Sequence, residues 1–169
     1  TAANADAMYT ALTYGFIGQD VSGAGEDDVR RLYPIFDTSS IPAGATALVA
    51  ELWFAKKSNY CEIATLLVVQ NGQPTYPHNP VVVGDFNKSN YAGDGGSYEL
   101  NGLVADTYVM INLNAAWRGF ITPNGLTKLC LRTDRDIDGN APSYGNEEWD
   151  YIYFDDATYP MFLRITWEV

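Results

Sequence analysis

The 169-residue chain reads as an all-β protein: an antiparallel β-sandwich, jelly-roll-like, with eight or nine strands and one short helix. Three observations carry this reading. Apolar and polar residues alternate with a period of two in several short runs. The clearest is 160–169, where Met161, Leu163, Ile165, Trp167 and Val169 share one face and Phe162, Arg164, Thr166 and Glu168 the other. Turn chemistry separates the runs, as at Asn71-Gly72-Gln73-Pro74 and Pro123-Asn124-Gly125. A single short helix fits the pattern, over 115–121 behind the capping residue Asn114.

The elements follow in order. Residues 1–7 read as an arm, 8–17 as a strand and 19–28 as a polar, acidic loop, so that 1–28 stand apart from a sandwich domain over 29–169. The next run, 30–36, is a strand. Asp37, Ser39, Ser40, Pro42 and Gly44 fix a turn, because the first three bond nearby amides and the last two supply special backbone angles. In the strand 48–54, Leu48, Ala50, Leu52 and Phe54 share a face. Further strands are expected at 62–70, from 81, at 107–113, 126–132, 149–154 and 160–169. Residues 85–97 and 134–148 read as long polar loops. Leu129, Leu131, Leu163, Ile165 and Trp167 are the expected core of the closing strands.

Composition narrows the function classes. Hydrophobic residues make up 47% and charged residues 18%, a globular balance. A chain of this length can bury about 70% of its unfolded surface, so it needs no metal to hold a core. The net charge is -11 and the largest basic cluster is Arg30-Arg31, which argues against nucleic acid as a partner. No apolar run approaches the roughly 18 residues of a membrane span, so membrane insertion is not expected.

The stretch 30–54, with Phe36-Asp37-Thr38-Ser39-Ser40-Ile41-Pro42-Ala43-Gly44-Ala45 at its centre, resembles the "FDLSSIPAGA" signature of the DNRLRE family of extracellular β-sandwich modules. The likeness extends to a helix bearing Trp117 and Ile121, then Asn124-Gly125-Leu126 and Leu129-Cys130-Leu131-Arg132. It ends with Phe162-Leu163-Arg164-Ile165-Thr166-Trp167 in place of the family's last strand. Together these motifs cover roughly 30–169. The resemblance implies an extracellular, cell-surface or virion-surface location. It also implies a role beside adhesive or carbohydrate-active domains, with polysaccharide as a ligand of some related modules.

Asp134, Asp136, Asp138 and Asn140, followed by or flanking Gly139, match the first half of a Ca²⁺ loop, since alternate positions turn oxygens inward. The twelfth position is Gly145 rather than a bidentate Glu, and a self-capping acidic turn uses the same residues. Tyr76, Tyr91, Tyr98, Tyr144, Tyr151 and Tyr153 lie in loops or on a face expected to point outward, where flat rings stack on sugars or form a subunit interface. Cys61 and Cys130 either pair as a disulfide on an outer face or stay free. His78 is the only histidine and sits among prolines, and no Gly-x-Ser-x-Gly elbow accompanies it, so enzyme chemistry is not expected.

The expected function is a non-enzymatic structural or adhesive subunit of an extracellular surface assembly, either a pilus-like filament or a virion. Residues 8–17 carry neither charge nor Pro to blunt an exposed edge. Met8, Tyr9 and Leu12 are therefore the expected contacts of an arm that joins a neighbour by self-association. The alternative is a carbohydrate-binding module of a secreted polysaccharide-active protein.

Overall fold

The computed structural model describes residues 13–21, 27–58, 60–142 and 148–169. The first strands are β1 (Tyr14–Val21), β2 (Asp27–Arg30), β3 (Ile35–Asp37), β4 (Thr46–Ala55) and β5 (Leu66–Gln70). Two 3-10 turns, Val83–Phe86 and Lys88–Asn90, precede β6 (Ser97–Glu99) and β7 (Tyr108–Asn112). Then come α1 (Ala115–Arg118), β8 (Leu126–Lys128), β9 (Cys130–Thr133) and α2 (Asp134–Asp138). β10 (Glu148–Tyr153) and β11 (Phe162–Glu168) close the chain.

The chain is all-β. Its strands form four small antiparallel sheets, ordered β10-β1-β2, β11-β4-β7, β3-β8 and β6-β5-β9, where two broad layers were expected. Several strands are only three to five residues long, too short to carry a wide ladder. All four sheets feed one core. Ile17 and Ile152 enter it from the first sheet, Leu52, Phe54 and Ile111 from the second, and Leu67, Val69 and Leu131 from the last. Phe36 of β3 packs against it, and Trp117 and Ile121 close it from α1 and the residues that follow.

The described residues hold eleven strands and two α-helices, against an expectation of eight or nine strands and one helix. The runs 30–36 and 126–132 each break into two strands. The second helix, α2, lies where a loop was expected. The Thr133 side chain accepts a hydrogen bond from the Asp136 N–H, and Gly139, at φ 73°, ends the helix in the left-handed conformation. The strand expected from Val81 is absent, because Asp85 bends the chain into a 3-10 turn by accepting from the Val82 N–H at 2.8 Å.

β1 lies at the centre of its sheet, paired with β10 on one side and β2 on the other. Gly18 permits this: at φ 118° a Cβ would fall 2.2 Å from the Glu148 carbonyl. For the expected core of the closing strands the outcome is split. Leu129 and Leu131 are fully buried as expected, but Leu163 and Ile165 are half-buried and Trp167 is 40% exposed. β11 is an edge strand, and its register with β4 shifts between Thr166 and Trp167, so Trp167 pairs with Ala47.

Candidate functional site

The most extensive surface feature is a face of aromatic rings built by period-two alternation. In β10, Glu148, Asp150 and Ile152 point inward, which turns Trp149, Tyr151 and Tyr153 outward. Pairing with β1 brings Phe16 opposite Tyr151 and Tyr14 opposite Tyr153. The rings follow the register: Phe16 and Tyr151 lie 4.2 Å apart, and Tyr14 meets Tyr151 edge-on at 5.2 Å. Tyr60, 44% exposed, stacks on Trp149 at 4.7 Å.

The face continues onto the neighbouring sheet. Tyr153 stacks on Tyr159, Tyr159 meets Tyr108, and Tyr108 meets Phe162. Phe162 lies parallel to Trp53 at 5.9 Å. Cations border both halves: Arg30 sits 4.4 Å over Phe16, Lys57 3.4 Å over Tyr14, and Arg164 5.0 Å over Trp53. The Tyr153 hydroxyl donates to Asp106 at 2.8 Å, and that bond, with burial second, pushes its phenol up to about 12.

Beside this face, β11 presents an open edge, since its sheet ends there among the described residues. The inner side of β11 forms one wall of a cleft. Leu163, Ile165 and Trp167 face Thr38, Ser40 and Ile41 of the turn after β3. The Thr13 carbonyl, just before β1, accepts from the Phe154 and Asp155 N–H groups, and the Phe154 carbonyl accepts from Met161, just before β11.

Of the residues singled out from sequence, Tyr151 and Tyr153 lie in the aromatic face. Tyr91 does not: it is buried at 5% exposure, its phenol raised by burial, against Tyr33 and Tyr76. Tyr76 packs edge-on to His78, and Tyr98 turns edge-on to Phe54 of the core. Tyr144, Met8, Tyr9 and Leu12 lie outside the described residues.

The acidic run does not form a cation cage. Helix α2 separates its carboxylates instead of converging them. Asp134 accepts from the Leu66 and Arg135 N–H groups, while Asp136 turns inward. There Asp136 takes Arg31 Nε at 2.6 Å, Arg31 Nη2 at 2.7 Å and Arg132 Nε at 2.7 Å. Burial alone would raise the Asp136 carboxyl, but the bonds from both arginines outweigh it and hold the group below its usual range. No group of three His, Cys, Asp or Glu residues is placed to hold a metal among the described residues, so Asp134, Asp136, Asp138 and Asn140 do not fit Ca²⁺.

Cys61 and Cys130 are both free and buried, which excludes the outward-facing disulfide. β9 is buried on both faces, so Cys130 turns into a second interior beside the arginine cluster rather than to solvent. Burial pushes both thiols above their ordinary value. Asp85, read from sequence as the start of an exposed loop, is fully buried and anchors His78 through its ring Nδ1 at 2.7 Å and its backbone N–H at 3.1 Å. With its further bond from the Val82 N–H, Asp85 ties down the loop that carries His78.

Sequence reasoning missed Tyr14, Phe16, Trp53, Tyr60, Tyr108, Trp149, Tyr159 and Phe162. The alternation of Trp149 with Tyr151 and Tyr153 was a usable signal, but the pairing of β10 with β1 was not visible. Comparison with family models, with curated proteins and with solved structures finds no match to the chain.

Proposed function

We propose that the chain is a non-enzymatic structural subunit of an extracellular surface assembly, a pilus-like filament or a virion. In this reading it is a jelly-roll-like module in which residues 1–12 of one copy add to the open edge of β11 in the next. Single bridges support the sandwich. Lys56 pairs with Ile152, which links the β4 and β10 sheets, and Leu32 pairs with Leu131, which brings the chain before β3 beside β9.

The observation that carries the assembly is the edge of β11 with its cleft. Its backbone lacks a strand partner on one side among the described residues, and Leu163, Ile165 and Trp167 offer apolar surface beside it. Such an edge is a template for strand addition, with main-chain bonds giving affinity and side-chain pockets giving register. Residues 1–12 have an extended reach of about 40 Å, while the seven residues of β11 span about 23 Å. Met8 and Leu12 supply the apolar side chains. Deleting residues 1–7 should leave the domain folded and abolish assembly, read by size exclusion and imaging of native material. A truncated chain that assembles normally sinks this reading, as does an arm found on its own β11.

The aromatic face favours a second reading, a carbohydrate-binding module of a secreted polysaccharide-active protein. Half-exposed rings in one continuous surface suit the C–H faces of sugars. Retardation of a monomer on a polysaccharide gel, lost in Tyr60→Ala and Tyr151→Ala, would support it. No retardation on any polysaccharide tested, with self-assembly intact, would remove it.

A further inference from the structure

We propose that the side chains of Lys56 and Asp150 condense into an amide, a covalent tie between the end of β4 and the middle of β10. Both side chains are wholly buried, and Lys56 Nζ stands 2.9 Å from Asp150 Oδ2. The two strands are held in place independently of the contact. Lys56 bridges to Ile152, and the Lys57 N–H donates to the Tyr151 carbonyl at 2.8 Å.

The two carboxylate oxygens differ in a way that suits the reaction. Oδ1 accepts from the Ser58 hydroxyl at 3.0 Å and from the Tyr151 N–H at 2.9 Å. Oδ2 accepts no aligned hydrogen bond among the described residues, although Nζ lies beside it. Nζ is further fixed by donating to the Leu100 carbonyl at 3.1 Å. One oxygen is therefore held as a carbonyl in need of stabilisation would be, and the other is left as the group that departs.

The steps balance without any co-reactant. A proton moves from Nζ to Oδ2, which leaves a free amine facing a carboxylic acid. The nitrogen lone pair attacks Cγ, and negative charge gathers on Oδ1, where Ser58 and Tyr151 donate. The Nζ–Cγ bond stays, the Cγ–Oδ2 bond breaks, and Oδ2 takes a second proton from nitrogen and leaves as water. One ammonium and one carboxylate become one amide and one water, with no change in oxidation state. Two forces favour the product. Fixing the partners in contact gives the high effective concentration of an intramolecular reaction. Forming the amide also removes two charges whose burial is costly.

The test is the intact mass of the folded, full chain, read after denaturation. The expected mass is one water below that of the sequence, and a digest should yield the peptides of Lys56 and Asp150 joined. Lys56→Arg and Asp150→Ala should each restore the full sequence mass. A wild-type chain at full sequence mass after prolonged incubation overturns the proposal, and so does a water loss that maps elsewhere. Because the wild-type mass decides the question, a variant that fails to fold leaves the test intact.

Discussion

β10 and β11 are neighbouring strands with the same period-two code, and they differ in what covers them. β10 ends its own sheet too, but it pairs with β1 on one side and is bridged by Lys56 on the other; its Ile152 is wholly buried, and its inward Asp150 and Glu148 meet the buried Lys56 and the partly exposed Arg135. β11 runs along β4 with its second side open, and its inward Leu163 and Ile165 are only half covered. Alternation therefore tells which side chains share a face. It does not tell what lies against that face, because cover comes from strands distant in sequence.

The same contrast separates interior polar groups from surface ones. Near α2, Arg31, Arg132 and Asp136 form a buried cluster with Gln70, whose side-chain oxygen accepts from Arg132 at 2.8 Å. At the edge, Arg164 pairs with Glu51 while more than half its side chain meets solvent. The largest expected effect lies inside. Asp136→Ala leaves two arginines buried without a counter-charge and should cost about 3–5 kcal/mol in denaturant unfolding. A loss below about 1 kcal/mol would break the comparison. The depressed carboxyl sets the sign with pH. The stability that Asp136 contributes is fully present above its ordinary value of 3.8 and drains as pH falls through the lower folded value. An acid titration of Asp136→Ala should therefore be flatter than that of the parent below that pH.

How much of this was legible depends on how local the cause was. The all-β class, the Asn114 cap of α1 and the faces of β4, β10 and β11 rest on nearest neighbours in the chain, and they emerged from the sequence. The division into four sheets did not, because it depends on pairings such as β1 with β10, more than a hundred residues apart. Asp85 and Asp136 read as loop residues because acidic side chains are seldom buried; Asp85 is held inside by its near neighbours Val82 and His78, Asp136 by Arg31, 105 residues away. Cys130 was misplaced because a strand covered on both faces leaves no alternation to read. The aromatic face was half legible: Tyr151 and Tyr153 stood out, while the rings they touch lie on three other segments.

Trp167 gives the smallest and most diagnostic effect. Had it been core, Trp167→Ala would cost about 3–5 kcal/mol. At 40% exposure on an open edge, with its register shifted against Ala47, it has less packing to lose, and about 1–2 kcal/mol is the expected cost. Ile152→Ala, on the covered strand, should cost about 2–5 kcal/mol and serves as the reference. If Trp167 helps line the cleft that receives residues 1–12 of a neighbour, its substitution should weaken assembly far more than it lowers the melting temperature. A variant that unfolds as readily as Ile152→Ala would place Trp167 in the core and erase the difference between the two strands. A variant of near-parent stability that still assembles fully would leave the open edge in place and take Trp167 out of the contact.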